Sequence, residues 1–297
     1  MKTLGLDLGG TKIAAAVVED GRILDRERVE TPQTGFDDVV DALTSAARAL
    51  LERGHDDVRA VGIGSPGPLD FRAGKVLFAP NIPGMEDAPI VSALEARLER
   101  TIVLENDANA AGLAEHLYGA AHDLESSLYL TISTGIGGGL FIGDRVIRGA
   151  HGLAGEVGHM TLLPGGPIGG DGILGSLEAI AAGRAIARDA SYGYGREMTT
   201  RETFERARAG EPKALAIVDN AARFTGIGIA NLTKIFDPEG FVIGGGMSEV
   251  GEFYLGRIRQ AAAEYLRGYP DADIRVASLG TEAGVIGAAA VAAQASG

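Results

Sequence analysis

One pattern constrains the fold more than any other, because it occurs twice. Near the N-terminus a short apolar run, Thr3 to Leu8, carries Asp7-Leu8-Gly9-Gly10-Thr11-Lys12 at its end. A second apolar run, Ile13 to Val18, follows, then a turn at Asp20-Gly21 and a third run, Arg22 to Val29. The order begins again at Ser127 to Ile132. Ser133-Thr134-Gly135 and Gly137-Gly138-Gly139 follow, then Leu140 to Ile142, a turn at Gly143-Asp144, and Arg145 to Ile147. The second turn lies 124 residues after the first, a little under half of the 297-residue chain. Short apolar runs bounded by glycine read as buried strands, and Asp-Gly between two of them as a hairpin turn. The chain therefore reads as two copies of one αβ unit. The simpler alternative is two glycine-rich hairpins that resemble each other by composition alone.

Strands and helices alternate along the rest of the chain, which argues for α/β layers. Phe36 to Glu52 has helical spacing and stops at Gly54. Val58 to Ile63 reads as a strand, Ala88 to Arg97 as a helix, Ile102 to Leu104 as a strand, and Ala108 to Leu117 as a helix. Helical patterns fill Ser176 to Phe236, most clearly from Lys213 to Lys234. Phe241 to Ile243 is a strand running into Gly244-Gly245-Gly246. A helix over Val250 to Leu266, a strand over Ile274 to Ala277 and a small-residue helix over Ala283 to Ala293 complete the chain.

Composition narrows the function. Lys and Arg number 27 against 40 Asp and Glu, a net charge of −13, which disfavours nucleic-acid and anionic-membrane partners. A local phosphate site survives this argument, since backbone amides and helix ends bind anions on acidic proteins. No apolar run reaches the ~18 residues of a membrane span, and Asp7 breaks the first one too early for a signal peptide. The expectation is a soluble, cytoplasmic protein. The absence of cysteine excludes disulfides, a catalytic thiol and thiolate metal ligands.

Glycine, 45 residues, is about twice its usual ~7% share, and part of it sits in four clusters after strands. These are Asp7 to Lys12, Gly62 to Gly67, Thr134 to Gly139, and Gly244 to Gly246. Strand-end glycines let backbone amides approach phosphate oxygens. Any one cluster is equally well a tight turn; four together favour phosphate binding. Gly62-Ile63-Gly64-Ser65-Pro66-Gly67 matches G-x-G-x-x-G, but a dinucleotide motif must open a helix, and Pro68 biases Gly67 away from helical geometry. No G-x-x-x-x-G-K-[ST] occurs, so a P-loop is excluded. Two hairpins, one per unit, pinching the phosphates across a cleft are the remaining arrangement.

Ile102 to Asp107 reads as a strand ending in Glu105-Asn106-Asp107 before an alanine-rich helix. Asp107 is placed either as an N-cap, worth ~1 kcal/mol, or as a general base at a strand's C-terminal end, where α/β proteins bind ligands. The two are compatible, since a helix N-terminus keeps a carboxylate ionised. Gly155-Glu156-Val157-Gly158-His159 is the second polar cluster. Its glycines argue against a helical Glu-x-x-His metal site. A loop displaying Glu and His suits the hydroxyls of a sugar. Glu178, at the start of a helix, either joins them or serves its own helix dipole.

These segments together resemble the ROK family of sugar kinases and repressors, within the actin/hexokinase superfamily, over nearly the whole chain. The carriers are Asp7 to Lys12, Gly64-Ser65-Pro66-Gly67-Pro68, Asn81-Ile82-Pro83-Gly84, Glu105 to Ala110, Ser133 to Gly139, Gly155 to His159 and Gly244 to Gly246. The resemblance is strongest to the family's bacterial glucokinases. It implies two RNase H-like domains flanking an active-site cleft, the first over 1–118 with a helix over 283–297 packing back onto it, the second over 119–282. It implies that Asp107 is the general base and that Ser65, Gly67, Asn81, Asn106, Glu156, His159 and Glu178 hold the sugar. Asp7, Gly9, Gly10, Thr11, Lys12, Thr134, Gly135, Gly137, Gly244 and Gly245 are implied to hold the nucleotide, with Asp7 reaching Mg²⁺ through water. The implied reaction is ATP-dependent phosphorylation of glucose at its 6-hydroxyl. A different hexose (fructose, an N-acetylhexosamine), polyphosphate as donor, and a non-catalytic sugar sensor are the competing readings. A homodimer is the family expectation. The first strand begins at about Thr3, so no DNA-binding segment fits in front of it.

One departure stands out. Relatives often bind zinc with the histidine of Glu-x-Gly-His and three cysteines in a C-x-C-G-x-x-G-C run. Here that run is Gly169-Gly170-Asp171-Gly172-Ile173-Leu174-Gly175-Ser176, with Gly169, Asp171 and Ser176 at the thiolate positions. One histidine, one carboxylate and one hydroxyl make a poor structural zinc site. No zinc is expected, and the loop must be ordered by other means.

Overall fold

The computed structural model describes residues 1–170 and 172–296. Asp171, which stands at a thiolate position of the relatives' zinc run, and Gly297, the last residue of the expected returning helix, lie outside them. The chain divides into two compact units. The first comprises Met1–His122, Asp144–Leu153 and Ser278–Gly297; the second comprises Asp123–Gly143 and Ala154–Ala277.

The first unit opens with β1 (Lys2–Leu8), β2 (Lys12–Glu19) and β3 (Arg22–Glu30), an antiparallel meander. α1 (Phe36–Glu52) then leads to β4 (Ala60–Ser65). A small antiparallel sheet follows, β5 (Leu69–Asp70), β6 (Lys75–Phe78) and β7 (Glu86–Ala88), which the sequence reading missed. Strands of two to four residues carry too few side chains for a period to show. α2 (Ile90–Leu98), β8 (Thr101–Asn106) and α3 (Asp107–Tyr118) complete this half. The main sheet has the order β3-β2-β1-β4-β8, with β1, β4 and β8 parallel. Its core is aliphatic: Leu4, Leu6, Leu8, Val61 and Ile63 pack against Val39, Leu43 and Leu50 of α1.

The second unit starts with β9 (Ser126–Ile132) and β10 (Ile136–Ile142); β11 (Arg145–Val146), the edge strand of the same sheet, falls in the segment Asp144–Leu153 of the first. Helices α4 (Leu177–Ala181), α5 (Gly183–Tyr194), α6 (Thr200–Arg208) and α7 (Pro212–Phe236) follow, then β12 (Gly240–Gly244), α8 (Glu252–Tyr265) and β13 (Ile274–Val276). The sheet order is β11-β10-β9-β12-β13, the same pattern as the first: an antiparallel hairpin beside parallel strands.

α9 (Ala283–Ser296) packs on β1, β4 and α3 of the first unit. The approach is closer than any side chain allows. A Cβ on Gly62 would lie 1.7 Å from the carbonyl oxygen of Ala288, and one on Gly287 1.6 Å from that of Ala110. These glycines are packing residues, which accounts for part of the glycine excess without any ligand. Gly137 to Gly139 also differ from expectation. They are not a loop but part of β10, paired with Thr131, Leu130 and Tyr129.

Candidate active site

Parallel pairing decides which residues of the first unit meet. β1 aligns Asp7 with Gly64 of β4, and β4 aligns Gly64 and Ser65 with Glu105 and Asn106 of β8. The C-terminal ends of three strands thus bring Asp7, Ser65, Asn106 and Asp107 to one edge, the usual ligand edge of an α/β sheet. The turn after β1 is fixed by Gly9 N donating to Lys12 O (3.1 Å), Thr31 Oγ1 to Gly9 O (2.7 Å) and Gln33 Nε2 to Gly10 O (3.0 Å). Gly10 lies against Asn81, whose carbonyl oxygen would be 3.2 Å from a Cβ there. Gly67 faces Asn106 in the same way, 3.5 Å from Nδ2. Ser65 is fully buried and its hydroxyl donates to Pro66 O at 3.1 Å, within its own turn.

The N-cap of α3 is Asn106, not Asp107. Asn106 Oδ1 accepts from Ala108 N (2.9 Å) and Asn109 N (3.2 Å), while Asp107 is the first helical residue and its Oδ1 accepts from Ala108 N at 2.8 Å. Asparagine holds the N-cap position, and the Asp107 carboxylate sits in the first turn, at the positive end of the helix.

Beneath them is a residue pair that sequence reasoning missed. Glu105 is fully buried; its Oε1 accepts from Asn106 N and Asn109 Nδ2, both at 2.9 Å, and its Oε2 from Arg148 Nε at 2.7 Å. The Arg148 guanidinium also lies over the Phe71 ring, 5.8 Å from its centroid. A buried glutamate needs such a partner, and its hydrogen bonds hold the strand-to-helix turn that presents Asp107. Glu105 was visible as a carboxylate closing an apolar strand. Nothing in the sequence links it to Arg148, 43 residues away.

Asp7 is electrostatically unusual. Burial first, and the neighbouring Asp107 charge second, push its carboxyl up from 3.8 to about 6, against the opposing pull of Lys12. Two carboxylates that raise one another's charging cost form a donor set that a divalent cation would relieve, so the residues present fit Mg²⁺.

The second unit carries the other polar cluster. His159 Nδ1 lies 3.1 Å from Glu156 Oε2, with over a third of each side chain exposed, on the 3₁₀ turn Val157–His159. Glu178 Oε2 accepts from Ile136 N at 2.9 Å, and its Oε1 from Arg184 Nη2 at 3.3 Å. Gly158 approaches the carbonyl of the same Ile136, 1.9 Å from where its Cβ would be. The first residue of β10 therefore anchors both the Glu156–His159 loop and Glu178.

Beside it lies a cavity of about 730 Å³, lined among others by Thr134, Arg184, Phe204, Arg208 and Gly246. It joins the second glycine hairpin to the fourth glycine cluster. Gly183 N and Arg184 N close the hairpin from the side, donating to Ser133 O (2.8 Å) and Thr134 O (3.3 Å). Gly245, with φ of 77°, places its backbone against Ile132 O, and Gly244 packs on Tyr129. Gly135, Gly137, Gly244 and Gly245 are outside the lining of this cavity; Thr134 is part of it.

Backbone pairing orders the loop that stands in place of the zinc run. Thr161 bridges Ser176 and Ile168 bridges Leu174. Leu162 N and Leu163 N donate to Gly175 O, Gly175 N to Pro167 O, and Leu177 N to Met160 O. Ser176, at a thiolate position of relatives, is fully buried and caps α4 by accepting from Ala179 N at 3.1 Å. Among the described residues no group of three His, Cys, Asp or Glu side chains is placed to share a metal ion.

Two units of one topology, each with a glycine hairpin between its first two strands, define the actin/hexokinase-like fold, and the relatives that match this chain place it among the sugar kinases of that fold. The ROK family model matches residues 3–295, and the chain belongs to the ROK family. It is 39% identical over 311 residues to a glucokinase of Streptomyces coelicolor, covering 97% of this chain and 96% of that one. A ROK hexokinase from Thermus thermophilus superposes with a TM-score of 0.95 at 51% identity, over 100% of this chain and 99% of that one. A ROK glucokinase from Streptomyces griseus, solved with glucose and AMPPNP, superposes with a TM-score of 0.82 at 39% identity, over 99% and 100%. No helix among the described residues is long and apolar enough to cross a membrane.

Proposed function

We propose that this protein transfers the γ-phosphoryl group of ATP to the 6-hydroxyl of a hexose, with glucose the leading substrate. Glucokinases at 39% identity and a hexokinase at 51% support a hexose acceptor. The AMPPNP-bound relative supports ATP as donor. The observation that carries the chemistry is the placement of Asp107 as first residue of α3, beside Asp7 at the C-terminal edge of β1, β4 and β8.

In this reading Asp107 accepts the proton of the sugar hydroxyl as its oxygen attacks the γ-phosphorus and the bond to the β-phosphate oxygen breaks. A positioned general base contributes roughly 10²–10⁴-fold. Asp107 stands at the positive end of α3, which favours a carboxylate, and the Glu105–Arg148 pair holds the turn it stands on. Asn106, Glu156, His159 and Glu178 bind sugar hydroxyls, with Ser65, Gly67 and Asn81 supporting. Gly9, Gly10, Thr11 and Lys12 of the first hairpin and Thr134, Gly135 and Gly137 of the second bind phosphates through backbone amides. Gly244 and Gly245 lie on the nucleoside side. Asp7 would hold Mg²⁺, which would supply charge neutralisation on the phosphates.

Asp107→Asn tests the base directly. The account expects kcat to fall by roughly 10²–10⁴-fold while the sugar dissociation constant stays within a few-fold of wild type. Full turnover in that variant would remove Asp107 from the mechanism.

A further inference from the structure

Arg184 belongs to two sites at once. Its side chain lines the cavity that holds Thr134 of the second hairpin, and its Nη2 donates to Glu178 Oε1 at 3.3 Å. Glu178 holds on by its other oxygen to Ile136 N, two residues beyond Thr134. The guanidinium also lies flat against Gly170, where a Cβ would meet Nη1 and Nη2 at 3.0 Å. No side chain at position 170 stands in its way. Among the other arginines of the cavity, Arg201 is engaged by Glu205 (3.1 Å), and Arg208 by Val250 O (2.5 Å) and the Phe253 ring.

We propose that Arg184 couples the two substrates: it pairs with a phosphate of the nucleotide donor and, in doing so, releases Glu178 Oε1 to the sugar. The inference deepens the sugar-kinase reading and rests on its assignment of Glu178 to the sugar and of the cavity to the donor. Its physical basis is a competition. The Arg184 side chain is 58% exposed and reaches Glu178 through one long contact, the kind of ion pair that contributes little. A phosphate offers the same guanidinium two short, charge-assisted hydrogen bonds and more charge. The arginine therefore transfers to the donor when the donor arrives. Glu178 keeps its bond to Ile136 N and regains an acceptor oxygen for a hydroxyl. Donor binding thus raises sugar affinity, and linkage requires the reverse as well.

Calorimetric titration of glucose into the whole protein, with and without saturating AMPPNP, reads this coupling. Wild type is expected to bind glucose roughly 5-fold or more tightly with AMPPNP present. Arg184→Ala is expected to bind glucose alone at least as well as wild type, to bind AMPPNP more weakly, and to lose the enhancement. Arg184→Lys, which keeps the charge but not the fork, should recover part of it. Enhancement undiminished in Arg184→Ala, or absent from a wild-type protein that turns over glucose, overturns the coupling role and leaves the kinase reading intact. A wild-type protein that binds neither glucose nor AMPPNP overturns both.

Discussion

Asp7 shows what one position costs the fold. A carboxyl raised from 3.8 to about 6 by burial and by Asp107 is stabilising to the fold only while protonated. Its contribution is complete below pH 3.8 and is lost as pH rises through about 6. Asp7→Asn removes that charge at constant shape. At full burial the gain above pH 6 would be ~3 kcal/mol; partial solvent access at Asp7 reduces the expectation to ~1–2 kcal/mol. Thermal unfolding should therefore show a higher Tm for Asp7→Asn at pH 8 and no difference at pH 3.5, alongside a large loss of phosphoryl transfer. An unchanged or lower Tm at pH 8 would contradict the electrostatic account. Residues at this scale were legible in proportion to their locality. Asp7, Asn106 and Asp107 announce themselves as polar groups closing apolar strands. The division of labour between Asn106 and Asp107 did not, because either side chain satisfies an N-cap by composition. Arg148 was invisible, since its partner is defined only once the chain has folded.

Elements were legible where their pattern is long. α1 was read over its observed bounds of Phe36–Glu52, because its apolar spacing persists through 17 residues. The three strands β5 to β7 were lost for the opposite reason. Glycine misled in one place: Gly137 to Gly139 looked like a loop and are strand, and at Gly138 the missing side chain makes room for neighbours. A Cβ at Gly138 would lie 2.7 Å from both Tyr129 O and Val157 Cγ2. The loop over 160–177 carries the element-scale prediction. Its backbone ladder and the Ser176 cap order it through the protein's own hydrogen bonds, so metal should be dispensable. Purified protein is expected to contain far less than one zinc per chain, and dialysis against a chelator should leave Tm unchanged. Stoichiometric zinc, or a fall in Tm on chelation, would contradict it, because a structural zinc site unfolds when the metal leaves.

At the scale of the whole molecule, the repeated hairpin was the most informative sequence feature, and both sheets carry it in the same position. The chain passes between its units more than once, with Asp144–Leu153 and Ser278–Gly297 returning to the first. A linear reading cannot show such returns, since no composition change marks them. Glu115, fully buried on α3, secures one of them by accepting from Ser278 N (3.0 Å) and Leu279 N (2.7 Å). The proposed reaction is tested on the intact protein. The most direct measurement is phosphoryl transfer by the whole enzyme across glucose, mannose, fructose and N-acetylhexosamines, with Mg-ATP and with polyphosphate as donors. The account predicts turnover with Mg-ATP, fastest with glucose, and a product carrying phosphate on its 6-oxygen. Sugar binding without transfer to any hexose from either donor would contradict it and leave a sensor on a kinase fold.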